Sequence, residues 1–225
     1  MTLRMPLKQK SRSPDKCLMP LFRQHKESAC HWGIWRMDES YEELCSLLPS
    51  ALVAEAENRF SAPHRRQEWL SVRALLRELS AENHEIAYLP SGKPYLAGSS
   101  RHISISHTKG YVAVILGASN VGIDIEQYGH RVHKVASKYM RFDEHPQPYA
   151  GDDTWSLLLH WSAKEVLFKC LDAENVDFKE HLRVFPFVPS PQGTFHACEY
   201  KTEQHRSFQI HYLLHADFVL TWTFF

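Results

Sequence analysis

Strand, helices and then a meander of short strands occur in that order twice along this chain. In the first pass, residues 31–37 (HWGIWRM) read as a strand, and helical patterns follow at 41–48 and 52–60, punctuated by Pro49 and Pro63. From 65 to 82, Trp69, Val72, Leu75, Leu76 and Leu79 recur at helical spacing, while Arg65, Arg66, Arg73 and Arg77 fill other faces, which predicts a long amphipathic helix. Short strands are expected at 86–89, 95–96, 103–106 and 111–116, separated by Ser91-Gly92 and Lys109-Gly110 turns. The second pass has a strand at 121–126, helical segments at 132–141 and 154–171, and strands at 194–200, 208–214 and 218–224. No residue-by-residue repeat accompanies this order. It predicts an α+β fold of two similar halves, 20–120 and 121–225, related by a pseudo-twofold, with residues 1–19 as a disordered extension.

A chain of 225 residues is long enough for one large domain or two small ones sharing a core. With 44% hydrophobic and 23% charged residues it lies in the ordinary globular range. Lys plus Arg and Asp plus Glu both number 26, so no whole-chain field favours nucleic acid or membrane, and neither is expected as a partner. The 5 cysteines are scattered and form no Cys-x-x-Cys pair, which fits a reducing compartment. No stretch approaches the ~20 apolar residues of a membrane-spanning helix and no secretory core stands at the N-terminus, so the expected location is cytoplasmic. Residues 1–16 carry five basic side chains without periodicity and read as a solvated arm. Met19-Pro20 precedes the first apolar segment, so the biological start could lie there.

The chemistry concentrates in two segments. In residues 121–126 (VGIDIE) the period of a strand puts Val121, Ile123 and Ile125 on one face and Asp124 with Glu126 on the other. Two neighbouring carboxylates repel unless a divalent cation sits between them, and an oxygen-only donor set suits magnesium; the plain alternative is an exposed polar face. The helix at 157–171 is apolar almost all round, yet carries Lys164, Glu165 and Lys169. Buried charges need partners such as a metal ion and phosphates. Glu165 and Lys169 share a face one turn apart, and an ordinary salt bridge is the alternative. Lys93, His107, Lys164 and Lys169 are the candidate phosphate partners. The 15 histidines show no His-Glu-x-x-His or paired Cys/His spacing, so no zinc site is expected.

Taken in order, GKPYL at 92–96, ISISHT at 103–108, VGIDIE at 121–126 and WSAKEVLFK at 161–169 resemble the 4'-phosphopantetheinyl transferase superfamily, most closely its monomeric, two-halved type that activates peptide and polyketide synthetases. The resemblance implies that Asp124, Glu126 and Glu165 ligate magnesium, with Lys164 and Lys169 near the pyrophosphate of coenzyme A. It implies that Gly92 and Lys93 contact the adenine end, and that Ser106, His107 and Thr108 receive the nucleotide and its phosphates. Arg59, Arg65 and Arg66 are candidates for the 3'-phosphate. Residues 146–153 (PQPYAGDD) depart from the family pattern.

The implied reaction is attack by a serine hydroxyl of an apo acyl or peptidyl carrier protein on the β-phosphorus of coenzyme A, releasing 3',5'-ADP. Positioning and charge stabilisation would supply most of the acceleration, with Glu165 as base and Lys169 beside it as the catalytic pair. Carriers of this kind are commonly acidic, and the helix at 132–141, with Lys134, Lys138 and Arg141 beside Val135, Tyr139 and Met140, is a candidate contact; a solvated amphipathic helix is the equal alternative. Two other readings stay open: another magnesium-dependent phosphohydrolase acting on nucleotides, and a non-catalytic carrier-binding module.

Overall fold

A computed structural model describes residues 20–80, 82, 84–171 and 173–225; the expected N-terminal extension lies outside them. The first half runs β1 (Leu21–Lys26), β2 (Cys30–Arg36), α1 (Tyr41–Ser46), α2 (Ser50–Arg59), α3 (Pro63–Leu79), β3 (Ile86–Tyr88), β4 (Pro94–Leu96), β5 (His102–Thr108) and β6 (Tyr111–Gly117). The second runs β7 (Val121–Gln127), α4 (Arg131–Tyr139), α5 (Thr154–Cys170), α6 (Phe178–His181), β8 (Leu182–Val184), β9 (Gln192–Glu199), β10 (Ser207–His215) and β11 (Phe218–Phe224). All strand pairs are antiparallel. One sheet has the order β1-β2-β6-β5 and the other β7-β11-β10-β9-β8, while β3 and β4 form a separate hairpin. The fold is thus α+β with two similar sheet-containing lobes.

Alternation along the strands explains the layering. One face of β2 and β6 sends Trp35, Val112, Val114 and Leu116 against the Leu70, Leu75 and Leu76 face of α3. Their other face sends Trp32, Ile34, Ala113 and Ile115 against Ile123, Ile125, Leu213, Leu220 and Trp222 of the second sheet. The second sheet's outer face packs on α5 through Phe208, Ile210 and Val219 against Leu159, Ala163 and Val166. Helix, sheet, sheet and helix stack in four layers with three apolar seams, and burial of these side chains is the main favourable contribution to folding.

Two glycines set how closely the helices approach. A Cβ on Gly33 of β2 would lie 2.9 Å from Leu75 Cδ1 and 3.0 Å from Leu79 Cδ2. A Cβ on Gly122 of β7 would lie 2.7 Å from Cys170 Sγ and 3.0 Å from the carbonyl oxygen of Val166. Any side chain at Gly122 would push α5, and what α5 carries, off the strand.

The sheets meet along β5 and β7, which run side by side in the same direction without a backbone ladder. Side-chain hydroxyls bridge the gap: Ser104 Oγ accepts from the Ile123 N–H at 3.2 Å and Thr108 Oγ1 from the Gln127 N–H at 3.1 Å. This seam places the site. Sequence patterns missed β1, an edge strand whose LFRQHK residues are mostly exposed, and the three-residue β8. No helix among the described residues is long and apolar enough to cross a membrane.

Candidate active site

Val121, Ile123 and Ile125 enter the seam between the sheets, so the opposite face of β7 turns Asp124 and Glu126 toward α5. Asp124 is buried beneath the helix. Its Oδ1 accepts from Ser106 Oγ of β5 at 2.8 Å and from Lys169 Nζ of α5 at 2.7 Å; its Oδ2 accepts from Ser162 Oγ of α5 at 2.7 Å. Lys169 Nζ also donates to the Ile123 carbonyl at 3.0 Å, and Ser162 Oγ lies 2.7 Å from Thr221 Oγ1. Ser162, Glu165 and Lys169 recur at helical spacing, so one face of α5 presents all three to β7.

Glu126 Oε1 accepts from the Trp161 indole N–H at 2.7 Å, yet burial, and then the charges of Asp124 and Glu165, push its carboxyl up to about 7. Burial and then Asp124 push Glu165 up to about 7 as well, against the pull of Lys169. Two carboxyls held half-protonated near neutrality beside a third carboxylate make a site short of positive charge. The donor set of Asp124, Glu126 and Glu165 is all oxygen and fits magnesium better than a softer ion. As they stand, the three carboxylates do not converge within 4.8 Å of one another, and Lys169 supplies the positive partner of Asp124.

Open space flanks the seam on both sides of β5. A cavity of about 460 Å³ lies between the β3–β4 hairpin and the end of α5, with Lys93 and Lys169 on its walls beside Gly92, Ser104, Phe168 and Glu174. A second, of about 210 Å³, is walled by Arg59, Arg65, Arg73, Tyr88 and His107, and Ile105 is common to both. His107 sits 3.4 Å from Arg65 Nη1 and 3.7 Å from Glu68 Oε1. Burial, helped by Arg65 and Lys169, holds its pKa below the ordinary imidazole value, against Glu68 and Asp124.

The structure therefore brings together Ser106, Asp124 and Lys169 in direct contact, Glu126 and Glu165 within their field, Lys93 across a cavity from Lys169, and His107 beside Arg59 and Arg65. Other expected residues are placed elsewhere. Lys164, expected at the phosphates, is fully buried on another face of α5, where Nζ donates to the carbonyls of Tyr139 at 2.6 Å and Phe178 at 3.1 Å and to Glu144 Oε2 at 2.8 Å. Arg66 turns back on its own chain, donating from Nε to the Phe60 carbonyl at 2.6 Å. Thr108 holds the seam through its hydroxyl. On α4, Tyr139 is buried with its hydroxyl on the Leu157 carbonyl at 3.0 Å, whereas Lys134 and Lys138 face outward; just after the helix, Arg141 donates to Asp143 and the Glu180 carbonyl, and Phe142 is 88% exposed.

Sequence reasoning missed Ser162, Arg73 and Glu144. Ser162 was legible as a small polar residue on the Glu165–Lys169 face of an otherwise apolar helix. Arg73 stacks 3.1 Å from the centroid of the Trp69 ring and is lowered by burial to about 10, although the spacing sets it only with Arg65, Arg66 and Arg77 on faces other than the apolar one.

Residues 120–223 match the family model described as the 4'-phosphopantetheinyl transferase superfamily. The match covers the second sheet with α4, α5 and α6, and includes Asp124, Glu126, Glu165 and Lys169. No curated protein matches the chain.

Proposed function

We propose that this chain is a magnesium-dependent 4'-phosphopantetheinyl transferase that moves the phosphopantetheine arm of coenzyme A onto a serine of an acyl or peptidyl carrier protein. The observation that carries the reading is the facing of Asp124 and Glu126 on β7 against Glu165 and Lys169 on α5, within the segment that matches the family model and beside the larger cavity. Coenzyme A would lie along the seam, with its pyrophosphate between Lys93 and Lys169 and its 3'-phosphate toward Arg59, Arg65 and His107 in the smaller cavity. Asp124, Glu126 and Glu165 would hold magnesium, which would supply positive charge against the pyrophosphate.

The chain's own groups do the rest. Lys169 is placed to turn from Asp124 to a phosphate oxygen, exchanging one anionic partner for another. Glu165 would accept the serine proton as the hydroxyl attacks the β-phosphorus and the bond to 3',5'-ADP breaks. Ser106 and Ser162 fix the Asp124 carboxylate from both sides, so its orientation precedes substrate binding. Lys134, Lys138 and Phe142 give an outward basic and apolar surface that suits an acidic carrier.

The test is the intact mass of an apo carrier protein incubated with the purified chain, coenzyme A and magnesium, with and without chelator. A chelator-sensitive gain of one phosphopantetheine group supports the reading. No gain on acyl and peptidyl carriers alike, with coenzyme A bound, would favour a non-catalytic carrier-binding module.

A further inference from the structure

Away from the seam, one cluster has ligand chemistry that the proposed reaction does not use. His130 stands immediately before α4 and His133 one turn into it, while Asp152 immediately precedes the N-cap of α5. His130 Nδ1 lies 3.1 Å and His133 Nε2 2.8 Å from the same atom, Thr154 Oγ1, and Asp152 Oδ1 accepts the Thr154 N–H at 2.8 Å. The three side chains each bring a ligand atom within 4.8 Å of the other two. One threonine hydroxyl has a single proton to offer, so the two ring nitrogens converge on a partner that cannot serve both as donor.

Asp152 is held in place from behind. Its backbone pairs with Tyr149 through hydrogen bonds of 2.9 and 3.0 Å, across a turn in which Ala150 and Gly151 have φ of 52° and 80°. The Tyr128 hydroxyl donates to its Oδ2, and the Tyr128 ring packs on Trp155 at 4.2 Å. Hydrogen bonds from Thr154 and Tyr128 hold its pKa down to about 2, so it is a carboxylate at any working pH. An aspartate oriented by outer hydrogen bonds, with two imidazoles on one helical turn, is a built half-shell.

We propose that His130, His133 and Asp152 form a second metal site, selective for a divalent ion of the zinc class. Two nitrogen donors and one carboxylate suit zinc, whereas magnesium prefers oxygen donors alone. Bonds of about 2.0–2.1 Å require ligand atoms roughly 3.3 Å apart, and His130 and His133, both exposed, have the freedom to draw in. Three protein ligands leave a fourth position to water. The ion ties the start of α4 to the start of α5 and so closes the 140–153 segment, which carries Glu144, against the helix that bears Glu165. The histidine spacing held no zinc signature because the third ligand comes from a loop nineteen residues beyond His133.

The experiment is calorimetric titration of untagged, metal-stripped protein with Zn²⁺ in excess Mg²⁺, paired with the visible absorption of the Co²⁺ form. The expected result is one tight equivalent, weakened at least tenfold in the His130→Gln/His133→Gln double variant and in Asp152→Asn, and unchanged in His145→Gln. Zn²⁺ should raise the melting temperature of the wild type but not of the double variant, whose exposed substitutions leave the fold intact. Absence of zinc binding to the wild type, or equal binding by the double variant, would overturn the site. Neither outcome depends on transferase activity.

Discussion

Gly33 and Gly122 hold the same post in the two halves: each lies on a strand at the point where the long helix of its own half presses closest, Gly33 under Leu75 and Leu79 of α3, Gly122 under Val166 and Cys170 of α5. Counting outward from these contacts, Trp35 stands where the second half has Asp124, Ser71 where it has Ser162, Arg73 where it has Lys164, Ala74 where it has Glu165 and Glu78 where it has Lys169. In the first half the strand position is filled by an indole and the helix face by Ala74, with Glu78 exposed at its edge, and the layer closes as an apolar core. In the second half the same positions carry a carboxylate, a glutamate and a lysine, and the layer opens as a polar site. The scaffold alone does not make the site; the residues that stand on the shared strand–helix contact do. The buried basic residues differ in the same sense. Arg73 is held on its own helix through the Trp69 carbonyl at 3.1 Å and the Trp69 ring, with Tyr88 beside it, whereas Lys164 reaches out to Glu144 and two other segments.

The largest break should come from the polar layer. Asp124→Ala and Glu165→Ala are each expected to lower carrier modification by about 10²–10³-fold or more, as loss of a principal electrostatic group does, with native circular dichroism retained; near-normal turnover in either variant would remove the residue from the site. Next in size is the buried pair. Lys164→Met or Glu144→Gln alone should cost about 3–5 kcal/mol in denaturant unfolding, because each strands an ion at a position with 0% side-chain exposure, and the Lys164→Met/Glu144→Leu double should cost much less than the sum. Arg73→Met, its counterpart, should cost less than either single change.

A smaller contrast lies at the glycines. Gly122→Ala meets Cys170 Sγ and the backbone of Val166 and should destabilise by about 1–3 kcal/mol, whereas Gly33→Ala meets only the movable ends of Leu75 and Leu79 and should cost less. Chemical denaturation of the two variants side by side checks the order.

The remaining effect is a pH dependence. Glu126 and Glu165 have folded pKa values raised to about 7 from 4.5, so between those values the folded state holds protons that the unfolded state has lost. Their contribution is therefore fully present below pH 4.5 and is lost as pH rises through 7. The metal-free protein should lose stability over this window relative to Glu126→Gln or Glu165→Gln, and magnesium should restore it at pH 7.5 but not at pH 5. Thermal melts at the two pH values, with and without the ion, measure this directly.

Much of this was legible in the residues because it is local. Alternation in VGIDIE put Asp124 and Glu126 on one face, and helical spacing put Glu165 and Lys169 on another; the two faces meet. What was illegible depends on partners far along the chain. Nothing in WSAKEVLFK says that Lys164 looks to Glu144, twenty residues earlier in a loop, rather than to the site. Nothing in LFRQHK marks an edge strand, since its pattern is polar and its pairing is supplied by β2. The likeness of the halves left no trace as a repeat because the positions that correspond have exchanged an apolar layer for a polar one.

The central claim, that the polar layer of the second half performs group transfer to a protein serine, is tested most directly by following 3',5'-ADP release from coenzyme A and magnesium, by the wild type and Glu165→Gln, with and without apo carrier. The account predicts release by the wild type only when carrier is present, in step with carrier modification, and a loss of at least a hundredfold in Glu165→Gln. Release that is independent of carrier, or equal in the two proteins, would contradict it.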